Sequence, residues 1–496
     1  MNLADALSER ATLEGVQWLL RSLGPRRAVR EQLQALLPAP ALLGPCRLRQ
    51  VSFKPGRKLT AHWDALVRMA DTEGHRARAV AVTWRLDGDA DRRPEGTDPA
   101  RVQTEALHRG VAAPFRRLTA DLPAWGMRIQ VSPLDARFPQ LVRLSDPRYA
   151  RDMLAGAGGG ASRQPRSRSY TVRSIRYHPG KRHVLRYDLL DAIAPETVFA
   201  KLYTGEDGAR AFCVATQAAD WLAGHGGGAT AARPLAWVAQ DGVVLYPCVV
   251  GIPLSESLYR PGQRVARCVE RAGAALHALH RLPPAVAGPL PHHDFAAEVR
   301  KAADASGHIP VLLPSVRGAI GALLKRAQEV HARLPQEPPT FTHGDFKVEH
   351  VWATPGGATL IDFDGCRLAD PAYDVGRFLA YLLLWHVIHD RPGLTEAQDR
   401  FLVGYAPGAP EERLLRSRLY EAVQLVKIVR RVPLAHPEWV ALTEQVIRRA
   451  QTVLHGLERR LGVPTSPLTV VMEGDPLPPR SGTCRPGCAR IQSVGE

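Results

Sequence analysis

The sequence predicts an α+β chain of more than one domain, and three observations carry that reading. From Arg47 to Leu86, and again from Thr171 to Val250, apolar residues follow a two-residue period; beyond Gly262 they recur at helical spacing. A short pattern occurs twice. Phe53-Lys54-Pro55-Gly56-Arg57-Lys58, then His62-Trp63-Asp64, matches Tyr177-His178-Pro179-Gly180-Lys181-Arg182, then Arg186-Tyr187-Asp188, at the same spacing. Between the copies, Gly156 to Arg168 reads GAGGGASRQPRSR, a Gly/Ser/Arg linker. At 496 residues the chain is long enough for two or three cores.

Taken in order, Leu13 to Leu37 has the apolar spacing of two short helices divided at Gly24-Pro25. Strands are predicted over Arg47–Phe53, Leu59–Met69 and Arg78–Leu86, followed by a polar loop, Asp87 to Pro99. Phe115 to Val142 is mixed, and Asp146 to Leu154 is helical. After the linker, strands run Thr171–Tyr177 and Val184–Leu190 around the Pro179-Gly180-Lys181-Arg182 turn, then Val198–Tyr203. Lys201 stands among apolar strand residues, where a lysine either snorkels or meets an anion. The first copy has Thr83 in the nearest equivalent place, so it reads as a degenerate duplicate that has lost this lysine. Strands follow over Leu235–Val238 and Val243–Val250. Helices are expected over 208–223, 262–282, 313–334, 377–388, 396–405, 411–432 and 438–461, with His277 and His280 as packing or surface residues.

The formal net charge is +16 and the pI about 9.9. From Thr340 onward there are 18 basic and 18 acidic residues, so the excess lies earlier. Arginines are dispersed singly and aromatics are 6%, too few for a base-stacking surface, so no specific nucleic-acid partner is expected. A positive field favours phosphorylated or acidic ligands. No apolar run has membrane-spanning length, and MNLADALSERATLEGV lacks a basic region followed by an apolar one. The seven cysteines are scattered, and Cys484 and Cys488 lack zinc or redox spacing. Cytoplasmic residence with reduced thiols is the expectation.

The chemistry-bearing stretch is Phe341 to Asp374, FTHGDFKVEHVWATPGGATLIDFDGCRLADPAYD. Asp345 follows an apolar approach, and Asp362 and Asp364 end the second strand of a hairpin turning at Pro355-Gly356-Gly357. Such a hairpin brings Asp345 and Asp362 to one cleft. Phosphoryl transfer needs that arrangement: one carboxylate to take the acceptor hydroxyl's proton, and hard oxygens for Mg²⁺. Asp370-Pro371 marks a helix start.

HGDFKVEH, LIDFDG and DPAYDVG together resemble the catalytic core of the aminoglycoside phosphotransferase and choline kinase-like family, relatives of protein kinases. The resemblance implies a two-lobed protein-kinase-like α+β fold. A small β-rich lobe would span 169–250 and a large helical lobe 251–465. Residues 1–155 would form a preceding α+β domain, a degenerate copy of the small lobe, with 156–168 as linker and 466–496 as a disordered tail. It implies ATP-dependent phosphotransfer to a hydroxyl of a small molecule such as a sugar, polyol or amino-sugar, with ATP and Mg²⁺ as cofactors. Asp345 would act as base or hydroxyl-orienting group, Lys347 would neutralise phosphate charge, and His343 would brace the loop. Asp362, His350 and Asp364 are the metal candidates. Lys201 would meet the α- and β-phosphates, and Gly180, Lys181 and Arg182 would lie over the phosphates. Tyr246 and Cys248, in the stretch that looks like the interlobe linker, would offer backbone groups to adenine. Asp374 would fasten the catalytic loop.

Two departures stand out. The family's Asn position holds His350, a poorer Mg²⁺ ligand than an amide oxygen, so the expectation is that His350 replaces a metal by hydrogen bonding. The helix from Gly208 to Ala223 lacks a Glu to orient Lys201, and Gln217 is the nearest polar residue. These departures favour the alternative of a nucleotide-binding pseudokinase. Asp390, Glu396 and Asp399 supply some acid to the large lobe, but the positive field tilts the expected acceptor to a neutral sugar or polyol.

Overall fold

The computed structural model describes residues 3–68, 75–86, 96–157, 169–190, 196–259 and 262–464. Most of the predicted linker and polar loop, and the predicted tail, lie outside these residues. Two five-stranded antiparallel sheets come first in the chain. The first comprises β1 (Leu42–Lys54), β2 (Lys58–Arg68), β3 (Arg76–Arg85), β4 (Thr119–Leu122) and β5 (Met127–Val131), in the order β1-β2-β3-β5-β4. The second draws on β6 (Tyr170–His178), β7 (Arg182–Leu189), β8 (Thr197–Leu202), β10 (Ala236–Val238) and β11 (Val243–Pro247), in the order β6-β7-β8-β11-β10. The short β9 (Ala229–Ala231) pairs elsewhere, in parallel with Gly357–Leu360.

The two sheets share more than strand order. Each has a helix after its third strand, Pro99–His108 and Asp207–His225. Each joins its last two strands through a 3-10 turn closed by a left-handed glycine, Gly126 and Gly242. Each opens with a Pro-Gly hairpin whose glycine is also left-handed, Gly56 at φ 68° and Gly180 at φ 71°, a conformation that glycine adopts without a Cβ penalty. Register locates the lysine. Thr60, the third residue of β2, pairs with Thr83, and Val184, the third residue of β7, pairs with Lys201. Thr83 therefore holds in the first sheet the position of Lys201 in the second, and its hydroxyl lies 3.2 Å from that of Thr60.

The first domain grips the second sheet at its turn. Asp135, in the loop after β5, accepts the Gly180 N–H at 2.6 Å and lies 2.6 Å from His183 Nε2. Arg137 donates to the Gly180 carbonyl at 3.1 Å, and Tyr177 donates to the Leu134 carbonyl. Stacked His62 and His178 rings, 4.3 Å apart, join β2 to β6. Burial pushes both imidazoles down, His62 to about 4 and His178 to about 2, so both are neutral and can stack without repulsion.

The large lobe is built from Gln263–His280, Phe295–Ser306, Arg317–His331, Ala372–Ile388, Leu394–Tyr405, Glu411–Ile428 and Trp439–Arg460. Helix 295–306 was not foreseen; its apolar face, Phe295, Val299 and Ala302, repeats at i, i+4 and i+7. The break between the first helices falls at Ser22 rather than Gly24-Pro25. Pro25 lies in the first turn of helix Leu23–Ala35, where an absent N–H costs no intrahelical bond. Side chains of the first domain and of helices 295–306, 317–331, 411–428 and 439–460 share one apolar core. Among the described residues no helix is long and apolar enough to cross a membrane.

Asp135 is buried, and its removal would leave the Gly180 N–H and His183 without an acceptor. Asp135→Ala is expected to destabilise the chain by about 2–4 kcal/mol, measured as a fall in denaturation midpoint. A change below about 0.5 kcal/mol would show that the two units are not coupled through this turn.

Candidate functional site

The catalytic stretch folds as a strand, Thr340–Thr342, a loop to His350, and the hairpin Val351–Thr354 with Gly357–Leu360. Loop geometry depends on two left-handed residues. At Gly344 (φ 74°) a Cβ would sit 1.8 Å from the Gly365 carbonyl oxygen, so only glycine fits. Asp362 (φ 64°) is non-glycine in the same region, a conformation uncommon outside functional loops.

Asp374, in the first turn of helix 372–388, fastens the loop. It accepts the N–H groups of His343 at 2.6 Å and Gly344 at 2.9 Å. His280 Nε2 lies 3.2 Å away, and its Nδ1 is 2.9 Å from the Tyr405 hydroxyl. The expected packing role of His280 is thus replaced by a polar one. Burial alone would raise the Asp374 pKa; the bond to His280 and the N–H of His343 outweigh it and hold the carboxyl below its usual range. His343 Nε2 donates to the Ile361 carbonyl at 3.0 Å, and its Nδ1 accepts the Asp345 N–H at 3.3 Å. The histidine thereby ties the loop to the approach to Asp362.

Asp345 meets Lys347 at 3.1 Å and the Arg377 guanidinium on its other oxygen. Burial would raise its pKa, yet Lys347 and Arg377 hold it well below the usual carboxylate range. Across the cleft, Lys201, buried in β8, contacts Asp362 and lies 2.8 Å from Asp364. Those carboxylates are the lysine partners that helix 207–225 lacks. Lys201 and Arg182 together overcome burial and keep Asp362 well below its ordinary value.

His350 stands between the two aspartates. Its Nδ1 lies 3.0 Å from the Asp345 main-chain oxygen, a pure acceptor, so Nδ1 carries the proton. Nε2 then turns a lone pair toward Asp362 Oδ2, 3.4 Å away. Burial and nearby Lys347 push His350 well below its usual pKa, so the neutral form holds. A buried lone pair facing a carboxylate suits a cation between them. Ligand atoms of Asp345, His350 and Asp362 lie within 4.8 Å of one another.

Several expected contacts differ. The Gly180 N–H is taken by Asp135 and the Lys181 N–H by the His178 carbonyl, so the turn reaches the cleft through the Lys181 and Arg182 side chains. The Cys248 N–H donates to the Thr197 carbonyl at 3.2 Å, because β11 keeps pairing with β8 through Pro247. Tyr246 packs beside Tyr203 and Phe212. Asp364 is occupied by Lys201, by Arg182 at 3.0 Å and by the Tyr203 hydroxyl at 2.7 Å, and stands outside the three-residue cluster. Arg377 and Tyr203 were missed. Their signals were spacing: Arg377 follows Asp374 by one helical turn, and Tyr203 follows Lys201 by one strand period.

The model of the family described as "Phosphotransferase enzyme family" matches residues 196–451, and the chain belongs to that family. It is thereby a phosphotransferase. Among solved structures it is similar to a choline/ethanolamine kinase family protein from Mesorhizobium loti, at 17% identity over 63% of this chain and 97% of that one, TM-score 0.42. It is also similar to the aminoglycoside phosphotransferase APH(3'')-Id from Streptomyces rimosus in complex with ADP and streptomycin, at 21% identity over 49% and 90%, TM-score 0.35. A third is an amicoumacin kinase in complex with AMP-PNP and Ca²⁺, at 14% identity over 62% and 94%, TM-score 0.41. No curated protein matches the chain.

Asp374→Asn would set an amide beside two N–H donors and is expected to cost about 2–4 kcal/mol of stability. The sign with pH follows from linkage. The folded pKa lies below the unfolded one, so the contribution is complete above about pH 4 and lost as pH falls through the folded value. Below about pH 4, wild-type stability should therefore fall more steeply than that of the variant in acid denaturation. Parallel acid limbs would contradict the assignment.

Proposed function

We propose that the chain transfers the γ-phosphate of ATP to a hydroxyl of a small molecule such as a sugar, polyol or amino-sugar. The observation that carries this reading is the convergence of Asp345, His350 and Asp362 opposite Lys201 in one cleft. In the transfer, the acceptor oxygen bonds to the γ-phosphorus as the bond from phosphorus to the β–γ bridging oxygen breaks. ADP leaves, and the hydroxyl proton passes to Asp345. Lys347 and Arg377 make Asp345 a weak base, so it orients the hydroxyl first and takes the proton as the new bond makes that hydrogen acidic. Lys201, Arg182 and Lys181 supply positive charge on the nucleotide side.

The donor set fits a divalent cation. Asp362 and His350 would hold it, with Asp345 beside them as the base, and when bound it would neutralise phosphate charge during transfer. The nitrogen in this set distinguishes metals, since Mn²⁺ accepts imidazole more readily than Mg²⁺ does. The lone-pair geometry of His350 favours ligation over the hydrogen-bonding replacement expected from sequence. The first domain supports a further reading, a copy of the small lobe without its lysine.

Asp345→Asn should abolish transfer and leave ATP affinity within a few-fold, while Asp362→Asn should weaken metal–ATP binding as well. Equal, small effects on turnover would refute this division of roles. Intact ATP binding without turnover in the wild type, whatever the acceptor, would favour the pseudokinase alternative.

Wild-type turnover is expected to be faster with Mn²⁺ than with Mg²⁺. His350→Asn should retain Mg²⁺-dependent turnover and lower the Mn²⁺/Mg²⁺ rate ratio by about fivefold or more. An unchanged ratio would remove His350 from the metal.

A further inference from the structure

One of the two cations on Asp345, Arg377, is itself held from behind. One terminal nitrogen of its guanidinium reaches an Asp345 oxygen, and the other donates to Gln424 Oε1 at 3.0 Å. Its Nε has no acceptor among the described residues, and its guanidinium carbon lies 5.0 Å from the Tyr381 ring centroid. Apart from Asp345, Gln424 is therefore the hydrogen-bond acceptor that fixes this guanidinium among the described residues. Gln424 Nε2 in turn donates to Glu298 Oε1 at 2.8 Å. Lys427, one turn further along helix 411–428, donates to that same oxygen at 2.7 Å, and His293 Nε2 donates to the other at 2.8 Å. Glu298 and Gln424 are both fully buried.

A side-chain amide can meet a neighbour with either end, its oxygen accepting or its nitrogen donating. Here the choice is forced. An ionised carboxylate only accepts, so Glu298 takes the Gln424 nitrogen and leaves the Gln424 oxygen to Arg377. Burial opposes ionisation of Glu298, but the hydrogen bond of His293 and the charge of Lys427 outweigh it and hold the carboxyl below its usual range. The carboxylate also sits on a fixed support. It lies in the first turn of helix 295–306, where Asp294 accepts the Ala297 N–H at 2.6 Å, and Phe295, Val299 and Ala302 of that helix pack into the core shared with the first domain. A second route reaches the loop before Asp345. The His293 ring stands edge-on to Tyr373, with centroids 5.5 Å apart, and the Tyr373 hydroxyl donates to the Gly344 carbonyl at 3.2 Å.

We infer that Glu298 and Gln424 are positioning residues for the transfer: Glu298 sets which end of the Gln424 amide faces Arg377, Gln424 holds Arg377, and Arg377 holds the Asp345 carboxylate at the angle at which it meets the acceptor hydroxyl. This deepens the proposed phosphotransfer and rests on that reading. Neither residue touches the reacting atoms. Without Gln424, Arg377 would be fixed only by the carboxylate it orients, and the two would turn together. A displacement of about 1 Å at a reacting group costs about a hundredfold in rate, so a modest loss of alignment is visible in turnover. The nucleotide side of the cleft, at Lys201 and Asp362, has its own contacts, so the effect belongs to turnover rather than to ATP affinity.

The test is steady-state ATP turnover by the full chain with Mn²⁺, water taking the place of the acceptor hydroxyl, with kcat and KM measured separately and corrected for the folded fraction. Gln424→Leu and Glu298→Gln should each lower kcat about tenfold and leave KM for ATP within about twofold. The two act in series, so Glu298→Gln/Gln424→Leu should be no slower than Gln424→Leu. Exchanging the groups, Glu298→Gln with Gln424→Glu, returns an acceptor to Arg377 and should bring kcat back to within about threefold of wild type. An unchanged kcat in Gln424→Leu, losses that multiply in the double variant, an exchange no faster than Glu298→Gln, or a KM for ATP that moves with kcat overturns the inference, since the cluster would then serve the fold or the nucleotide. Should Glu298→Gln not fold, Gln424→Leu, which leaves Glu298 with Lys427 and His293, decides by its kcat and KM. A wild type without Asp345-dependent turnover overturns the phosphotransfer reading and the inference with it; Asp345-dependent turnover that survives every variant overturns the inference alone.

Discussion

Charge taken out of water must be answered by charge, and the cleft is arranged around that constraint. Lys201 and Asp362 are both nearly excluded from solvent and lie in contact. Either one alone would carry a desolvation cost of several kcal/mol, so each holds the other in its ionised form. From this pair the cluster continues through neutral His350 to Asp345, whose opposite charges are Arg377 and Lys347. The small lobe and the helical lobe are thus joined at the place where phosphate would lie. The missing helix glutamate matters less in this arrangement, because Asp362 and Asp364 already answer the lysine.

The second organising feature is duplication of the small-lobe topology. One sheet places a lysine under the cleft; the other has threonine at the same register and uses its loops as structural contacts. Asp135 and Arg137 close on the Gly180 turn, and Gln17 reaches the segment after helix 411–428. The first domain therefore touches both the second sheet and the segment after helix 411–428.

Much of the site was legible because local spacing encodes it. His343-Gly344-Asp345, the hairpin and Asp362 lie within a short stretch, and hairpin closure alone brings the two carboxylates together. The Pro-Gly repeat was legible for a related reason: a left-handed turn requires glycine, and both copies retain it. Amide availability was not legible. The Gly180 and Cys248 N–H groups looked open to a ligand in the chain but are used by Asp135 and Thr197, 45 and 51 residues away.

The sequence by itself determined the carboxylates of the candidate site, the strand carrying Lys201, the helices of the large lobe other than 295–306, and the repeated turn. Each of these depends on residue type and on periods of two or 3.6 residues, which act over short range. Only the tertiary structure decided who answers those charges. Arg377 on Asp345, Asp364 on Lys201, and Asp135 on the Gly180 turn depend on contacts between distant segments. A charge's partner is set by what folding brings within a few ångströms in low dielectric, and sequence separation carries no record of that distance.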